Sequence, residues 1–226
     1  EAKAVAIGVK RLKEWGIPYE VLEFAPGREN LIARLKGTGE LPPLLLLAHI
    51  DVVPATGQVW STDPHKVTEK NGYLYARGVS DDLGMAAVNL EVLGLLKTSG
   101  VKLKRDIILA WTGDEESGGS GIKYILEKRP ELLKAEYALN EGGGIVLENS
   151  GKLFSVNLQT AEKNYQDFEL SVSGKTGHSS LPNSDNAIYH LSKALLAIEK
   201  LKFRAHLLNT TRDYFAARSK IEEKNM

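Results

Sequence analysis

Four short stretches of this sequence carry ionisable groups beside glycines or at the ends of apolar runs: AHIDVV (48–53), ARGVSDDLG (76–84), WTGDEESGG (111–119) and ALNEGGG (138–144). Together they offer His49, Asp51, Asp81, Asp82, Asp114, Glu115, Glu116 and Glu141. The chain has no cysteine, so a metal here must be held by imidazole and carboxylate, a donor set that suits zinc, manganese or cobalt. His49 and Asp51 lie two residues apart, on one side of an extended strand. His49 can then bind a cation through one nitrogen while Asp51 supports it from nearby. The adjacent Glu115 and Glu116 point in different directions, so one can hold metal while the other faces substrate as a general base. A carboxylate shared by two ions sets them about 3.5–4 Å apart, and such a site can bring the pKa of water to about 7.

Each residue also has a plain structural reading. A single His ending a strand is usually just hydrogen-bonded or solvated. Asp81 and Asp82 stand where an aspartate caps a helix. Glu115 and Glu116 could favour the positive end of the helix that follows. Glu141, before three glycines, fits an exposed turn. The plain readings are individually good and jointly poor, because four acidic turns recur together. Their coincidence favours a cation site.

The elements that would position these groups can be read from periodicity. Residues 2–15 carry apolar groups at helical spacing and stop at Gly16. YEVLEF, NLIARLKG and PLLLLAHI are strand candidates, the last apolar enough to be buried on both faces. GYLYARG is a short strand or turn, residues 82–98 an amphipathic helix, and RDIILAWTGDEE a buried strand ending in acids. A helix near 119–128 and a strand in AEYALNEGGG follow. Strands alternating with helices predict an α/β domain with a mainly parallel sheet flanked by helices. In such sheets ligands bind outside the carboxyl ends of the strands, where these turns fall. From about residue 164 the pattern changes: YQDFELSVSG alternates like a strand with one wet face, and NAIYHLSKALLAIEKL is an amphipathic helix. This predicts the start of a smaller α+β unit.

Composition narrows the function classes. Of 226 residues, 42% are hydrophobic and 26% charged, which is ordinary globular usage. Lys plus Arg and Asp plus Glu both total 29, so no basic bias points to nucleic acid or an anionic membrane. No apolar run approaches the roughly 20 residues of a membrane span. The chain starts at Glu1 without a signal-like segment, which suggests processing or trimming and leaves localisation open.

LLLLAHIDVVP, ARGVSDDLG, GDEESGG, LNEGG and GKTGHSSLP occur in an order and spacing that resembles the M20 metallopeptidases, over roughly residues 30–200. That family includes aminoacylases, carboxypeptidases and desuccinylases, and AHIDVVPA with LNEGGG and GHSSLP is most similar to its Gly-X carboxypeptidase and N-acyl-amino-acid hydrolase branch. The resemblance implies a catalytic domain over 1–163 and a partial lid or dimerisation domain over 164–226. It makes His49 a ligand of one metal, with Asp51 its supporting neighbour, and Asp81 the bridge between two metals, followed by Asp82 across a cis peptide. Glu115 becomes the general base, Glu116 a ligand of the second metal and Glu141 of the first. His178, in the lid, reaches the partner subunit's active site in relatives and helps hold substrate or oxyanion. Glu115, Asp51 and His178 thus serve catalysis, and two zinc ions, or cobalt or manganese, are implied. His65, His190 and His206 receive no chemistry.

The implied reaction is metal-dependent hydrolysis of an amide in a small peptide or N-acyl amino acid, by a homodimer joined through the lid. Two departures stand out. Leu83 occupies the place where relatives usually carry Lys, and no His here matches the late one that completes the family's second metal site. A fragment of an active enzyme and a truncated, non-catalytic metal-binding or dimerisation module both fit these departures. A di-zinc aminopeptidase of another clan fits the motif order less well.

Overall fold

The computed structural model describes residues 1–159, 162, 166–178, 180, 181 and 183–223. They form two compact units, Glu1–Gly142 and Gly143–Met226.

The first unit begins with helix α1 (Ala2–Trp15), which Gly16 ends in a left-handed turn as its place in the sequence predicts. Strands β1 (Tyr19–Ala25) and β2 (Arg28–Leu35) follow, then β3 (Leu44–His49). A small hairpin, β4 (Thr68–Lys70) and β5 (Tyr73–Tyr75), precedes helix α2 (Leu83–Thr98). Strand β6 (Ile107–Thr112), helix α3 (Ser120–Lys128) and strand β7 (Tyr137–Leu139) complete the unit.

Five of these strands form one sheet in the order β1-β2-β6-β3-β7. The α/β class holds, and the sheet is mixed. β3 runs parallel to both β6 and β7, whereas β1–β2 and β2–β6 are antiparallel. The cause is local: only Pro26 and Gly27 separate β1 from β2, and so short a turn can only reverse the chain. Gly27 supplies the positive φ, 72°, that the turn requires.

Both faces of the sheet are covered. On one, Leu46, Ala48, Ile50, Leu109 and Trp111 meet Val5 and Leu12 of α1 and Ala86, Leu90 and Leu93 of α2. On the other, Leu45, Ile108 and Ala110 meet Ile125 of α3. All six residues of β6 are buried, which explains its unbroken apolar run. Helix α2 is less amphipathic than its spacing predicts, since Val88, Val92 and Leu95 face outward.

The second unit contains a hairpin, β8 (Gly144–Leu147) with β9 (Leu153–Asn157), and helices α4 (Ala187–Glu199) and α5 (Asn209–Glu223). Asn186 caps α4 by accepting the Ile188 N–H at 2.9 Å. The strand expected over YQDFELSVSG is not formed in residues 166–174; its first residue, Tyr165, lies outside the described residues. A strand exists only as half of a ladder, and the two described strands of this unit pair with each other. No helix among the described residues is long and apolar enough to cross a membrane.

One buried charge ties β2 to β6. Asp106 accepts hydrogen bonds from Arg34 at 3.0 Å, Lys36 at 2.9 Å and the Gly37 amide at 2.9 Å. Burial acts to raise its pKa, but the Gly37, Lys36 and Arg34 contacts outweigh it and hold the carboxyl below its ordinary value. A folded pKa below the unfolded value of about 3.9 gives stability that is present above that pH and lost as pH falls through the folded pKa. Asp106→Asn is therefore expected to lower unfolding free energy at pH 7 by about 1.5–3 kcal/mol. Urea titrations should show this deficit narrowing below about pH 4, and a deficit constant from pH 7 to 3 would contradict the assignment.

Candidate metal centre

The parallel strands β3, β6 and β7 all present their carboxyl ends at one edge of the sheet. His49 is the last residue of β3, Gly113–Gly119 form the loop leaving β6, and Glu141 lies two residues past β7. Asp81 and Asp82 lead into α2, across a peptide bond that is cis.

His49 is the hub of this edge. Its side chain is almost wholly buried, and Nε2 lies 2.9 Å from Asp81 Oδ1, 3.7 Å from Glu141 Oε1 and 4.0 Å from Glu115 Oε2. A nitrogen and a carboxylate oxygen 2.9 Å apart need a proton or a cation between them. Its other nitrogen, Nδ1, stands 3.1 Å from the Asp51 carbonyl, which can only accept. Nδ1 therefore carries a proton and leaves Nε2 to face the carboxylates. Two overlapping sets of ligand atoms result, His49–Asp81–Glu116 and His49–Asp82–Glu141, each with its atoms within 4.8 Å of one another.

Six carboxylates surround this imidazole: Asp51, Asp81, Asp82, Glu115, Glu116 and Glu141. Burial pushes the carboxyls of Asp82, Glu115 and Glu141 above their ordinary values, and His49 only partly offsets this. For His49, burial is the largest influence and lowers its pKa, but Asp81, Glu141 and Asp51 together raise it. Asp82 is 3% exposed, and its Oδ2 has no hydrogen-bond partner. Crowded acids, a buried orphan oxygen and a half-shared imidazole nitrogen are the donors a divalent cation satisfies. Zinc, cobalt or manganese fits them by ligand type.

The loop after β6 is held from several sides. Asp51 accepts the Glu115 N–H through Oδ1 and the Glu116 N–H through Oδ2, each at 3.1 Å. Asp114, in a left-handed conformation at φ 67°, accepts the Ser120 N–H at 3.1 Å and an Arg28 N–H at 2.8 Å. Hydrogen bonding to the Ser120 side chain first, and to Arg28 next, brings its pKa down to about 2. Asn30, fully buried on β2, accepts the Gly113 N–H and donates to the Gly121 carbonyl, both at 3.0 Å. Gly121 admits this approach because a Cβ there would lie 2.3 Å from the Gly113 oxygen. Neither Asn30 nor Arg28 is signalled by the motifs; a lone amide amid the apolar run of β2 is the one cue to Asn30.

Of the residues picked out from the sequence, His49, Asp51, Asp81, Glu115, Glu116 and Glu141 thus meet at one edge of the first unit. His178 lies in the second unit, exposed, with Nδ1 2.7 Å from Ser180 Oγ and 3.2 Å from the Ser180 N–H that it accepts. Leu83 packs against the α1–α2 core. Among the described residues, no Lys or Arg ion-pairs with the six carboxylates. A large apolar cavity of about 990 Å³ between α1, α2 and the 52–79 segment touches none of the candidate ligands. It is lined by Ile50, which shares the opposite face with Leu46 and Ala48.

Residues 45–209 match the profile of peptidase family M20/M25/M40. The chain belongs to this family. It is 33% identical to aminoacylase-1 of Mus musculus over 205 residues, 89% of this chain and 48% of the relative. An acetylornithine deacetylase of Vibrio campbellii is 32% identical, over 89% of this chain and 49% of its own length. An N-fatty-acyl-amino acid synthase/hydrolase of Xenopus tropicalis is 34% identical, over 81% and 36% respectively. Among solved structures, an M20 family metallo-carboxypeptidase of Sulfolobus solfataricus superposes with a TM-score of 0.54 and 28% identity, covering 66% of this chain and 33% of that one. The chain thus spans about half the length of the curated relatives it matches, or less. This M20 chain carries the carboxylate and histidine groups of a metallo-hydrolase.

Zinc is expected to raise the thermal midpoint of the wild-type chain, by about 2.7 kcal/mol of stabilisation at a hundredfold excess over its Kd. His49→Ala removes the side chain common to both ligand sets and should abolish that shift in a thermal melt with added zinc chloride. Equal shifts in the two proteins would place the ion elsewhere.

Proposed function

We propose that this centre hydrolyses an amide bond, with a pair of zinc ions and Glu115 as general base, in an N-acyl amino acid or a small peptide. The observation that carries the reading is the gathering of the Asp81, Glu116 and Glu141 carboxylates around His49, since a carboxylate has two oxygens and can be shared by a pair of ions. His49, Asp81 and Glu141 would hold the first ion, and Asp81 and Glu116 would hold the second, whose remaining ligand the resemblance assigns to a later histidine. Bound there, the ions supply Lewis acidity that polarises the scissile carbonyl and eases deprotonation of water.

The chain's own residues divide the remaining tasks. Glu115 stands 4.0 Å from His49 Nε2, too far for a direct hydrogen bond and within reach through one water. Burial raises its carboxyl above the ordinary range, which suits a group that takes a proton and then passes it to the leaving amine. Because His178 Nδ1 accepts the Ser180 N–H, a neutral ring carries its proton on Nε2. That proton suits donation to an oxyanion, and this role belongs to the same reading. The division into a catalytic part over 1–163 and a lid over 164–226, and a homodimer formed through the lid, also belong to it. The names of the three curated relatives concern acylated amino acids, and they favour an N-acyl amino acid as substrate over a peptide.

Glu115→Gln should lower kcat/KM on an N-acyl amino acid at least a hundredfold. Zinc content by elemental analysis should remain that of the wild type. An unchanged rate removes Glu115 as the base. Zinc binding by a wild-type chain that hydrolyses neither N-acyl amino acids nor short peptides supports the alternative, a metal-binding or dimerisation module.

A further inference from the structure

We infer that the Asp51 carboxylate is a positioning group for Glu115 and Glu116, and that support of His49 falls to the main-chain carbonyl of the same residue. The inference rests on the hydrolytic reading for its catalytic consequence, and on geometry alone for the bonds themselves.

Asp51 has three acceptor oxygens facing the centre, and they divide between two partners. The carbonyl oxygen is the one at hydrogen-bond distance from His49 Nδ1, 3.1 Å. The nearer carboxylate oxygen, Oδ1, is 3.5 Å from that nitrogen, a weaker approach. Both carboxylate oxygens instead take main-chain donors, Oδ1 from Glu115 and Oδ2 from Glu116, each at 3.1 Å. The side chain is nine-tenths buried, so water does not compete strongly for these bonds. Two successive amides converging on one anion form a concavity that a carboxylate fills with both oxygens.

The placement has a chemical consequence. Glu115 and Glu116 are adjacent and must aim differently, one toward the reacting water and one toward the ions. Their directions follow from the rotation of the two peptide units that carry the amides. Pinning both N–H groups to one rigid carboxylate sets that rotation, and it does so from two residues beyond β3, the strand that ends on His49. Base, ligand and hub are thereby referred to a single strand end. The two functions of Asp51 are also separable by substitution, because any residue at position 51 retains the carbonyl. Asparagine keeps the volume but offers one acceptor oxygen, and turns an NH₂ toward the other amide.

The test uses the full chain as wild type, Asp51→Asn and Asp51→Ala, with His49→Ala for comparison. Amide hydrogen exchange by NMR should show the Glu115 and Glu116 amides exchanging at least tenfold faster in both Asp51 variants, with β6 amides unchanged. Calorimetric titration with zinc alone should give a first-ion affinity within about threefold of wild type, in contrast to its loss in His49→Ala. On an N-acyl amino acid, kcat should fall at least tenfold with KM little changed. Unaltered exchange at the two amides overturns the inference, as does first-ion affinity falling in step with His49→Ala. If Asp51→Ala does not fold, Asp51→Asn carries the same comparison. A wild-type chain that shows no hydrolysis defeats the hydrolytic reading while the exchange and zinc measurements still decide the role of Asp51.

Discussion

His49 lies opposite Thr112 in the parallel ladder between β3 and β6, and the metal centre depends on that register. The ladder runs unbroken from Leu44 against Ile107 to His49 against Thr112, so the end of β3 is level with the start of the loop that carries Glu115 and Glu116. Parallel pairing with β7 on the other side brings Leu46 level with Leu139, and so draws Glu141 toward the same edge. Slipping β3 by one residue would exchange its two faces, sending His49 toward α1 and α2 and turning Leu46 and Ala48 away from them. The apolar side chains on both faces of β3 resist that slip, because each belongs to a different packed layer. Hydrophobic burial thus sets the position of the one imidazole around which the acids gather.

What gathers there is electrostatically unbalanced. Six carboxylates share one imidazole, and among the described residues no Lys or Arg ion-pairs with them. Burial keeps several of these acids from releasing protons easily, and Asp82 keeps an oxygen with no donor at all. Such an arrangement costs free energy in isolation, since buried charge is tolerated only when it is paired. A divalent cation pairs several of these charges at once, so metal affinity and folding stability draw on the same groups.

Much of this was readable in the sequence, for physical reasons that also explain what was not. β3 and β6 announce themselves because strands buried on both faces must be apolar throughout, and the acids follow directly at their ends. The first helix is marked by its spacing and by Gly16. Strand direction was less visible: β1 and β2 have the composition of either a parallel or an antiparallel pair, and the two-residue turn at Pro26 and Gly27 is what decides. The hairpin of β8 and β9 begins on the last of three consecutive glycines that read as loop, and all four residues of β8 are exposed, so burial leaves no pattern there. The segment over 166–174 errs in the opposite sense, since alternation can be present where no partner strand completes a ladder.

Asn30 and Asp51 show why motif reading stops short of a working site. The candidate site acids Glu115 and Glu116 sit on a loop, and a loop alone does not hold a side chain to the tolerance that metal binding requires. Here that loop is fastened at its start by Asn30 on β2, through Gly113 and Gly121. At its middle it is fastened by the Asp51 carboxylate beyond β3. At its far end Asp114, itself held by Arg28, takes the Ser120 amide at the first turn of α3. These bonds all end on main-chain groups of the loop and the first turn of α3 or on Asp114, so they are indifferent to which side chains stand at 115 and 116. The frame is therefore independent of the chemistry it carries. Substituting Glu115 should remove one carboxylate of the candidate centre without disturbing the loop, whereas substituting Asp51 should disturb the loop while both glutamates remain.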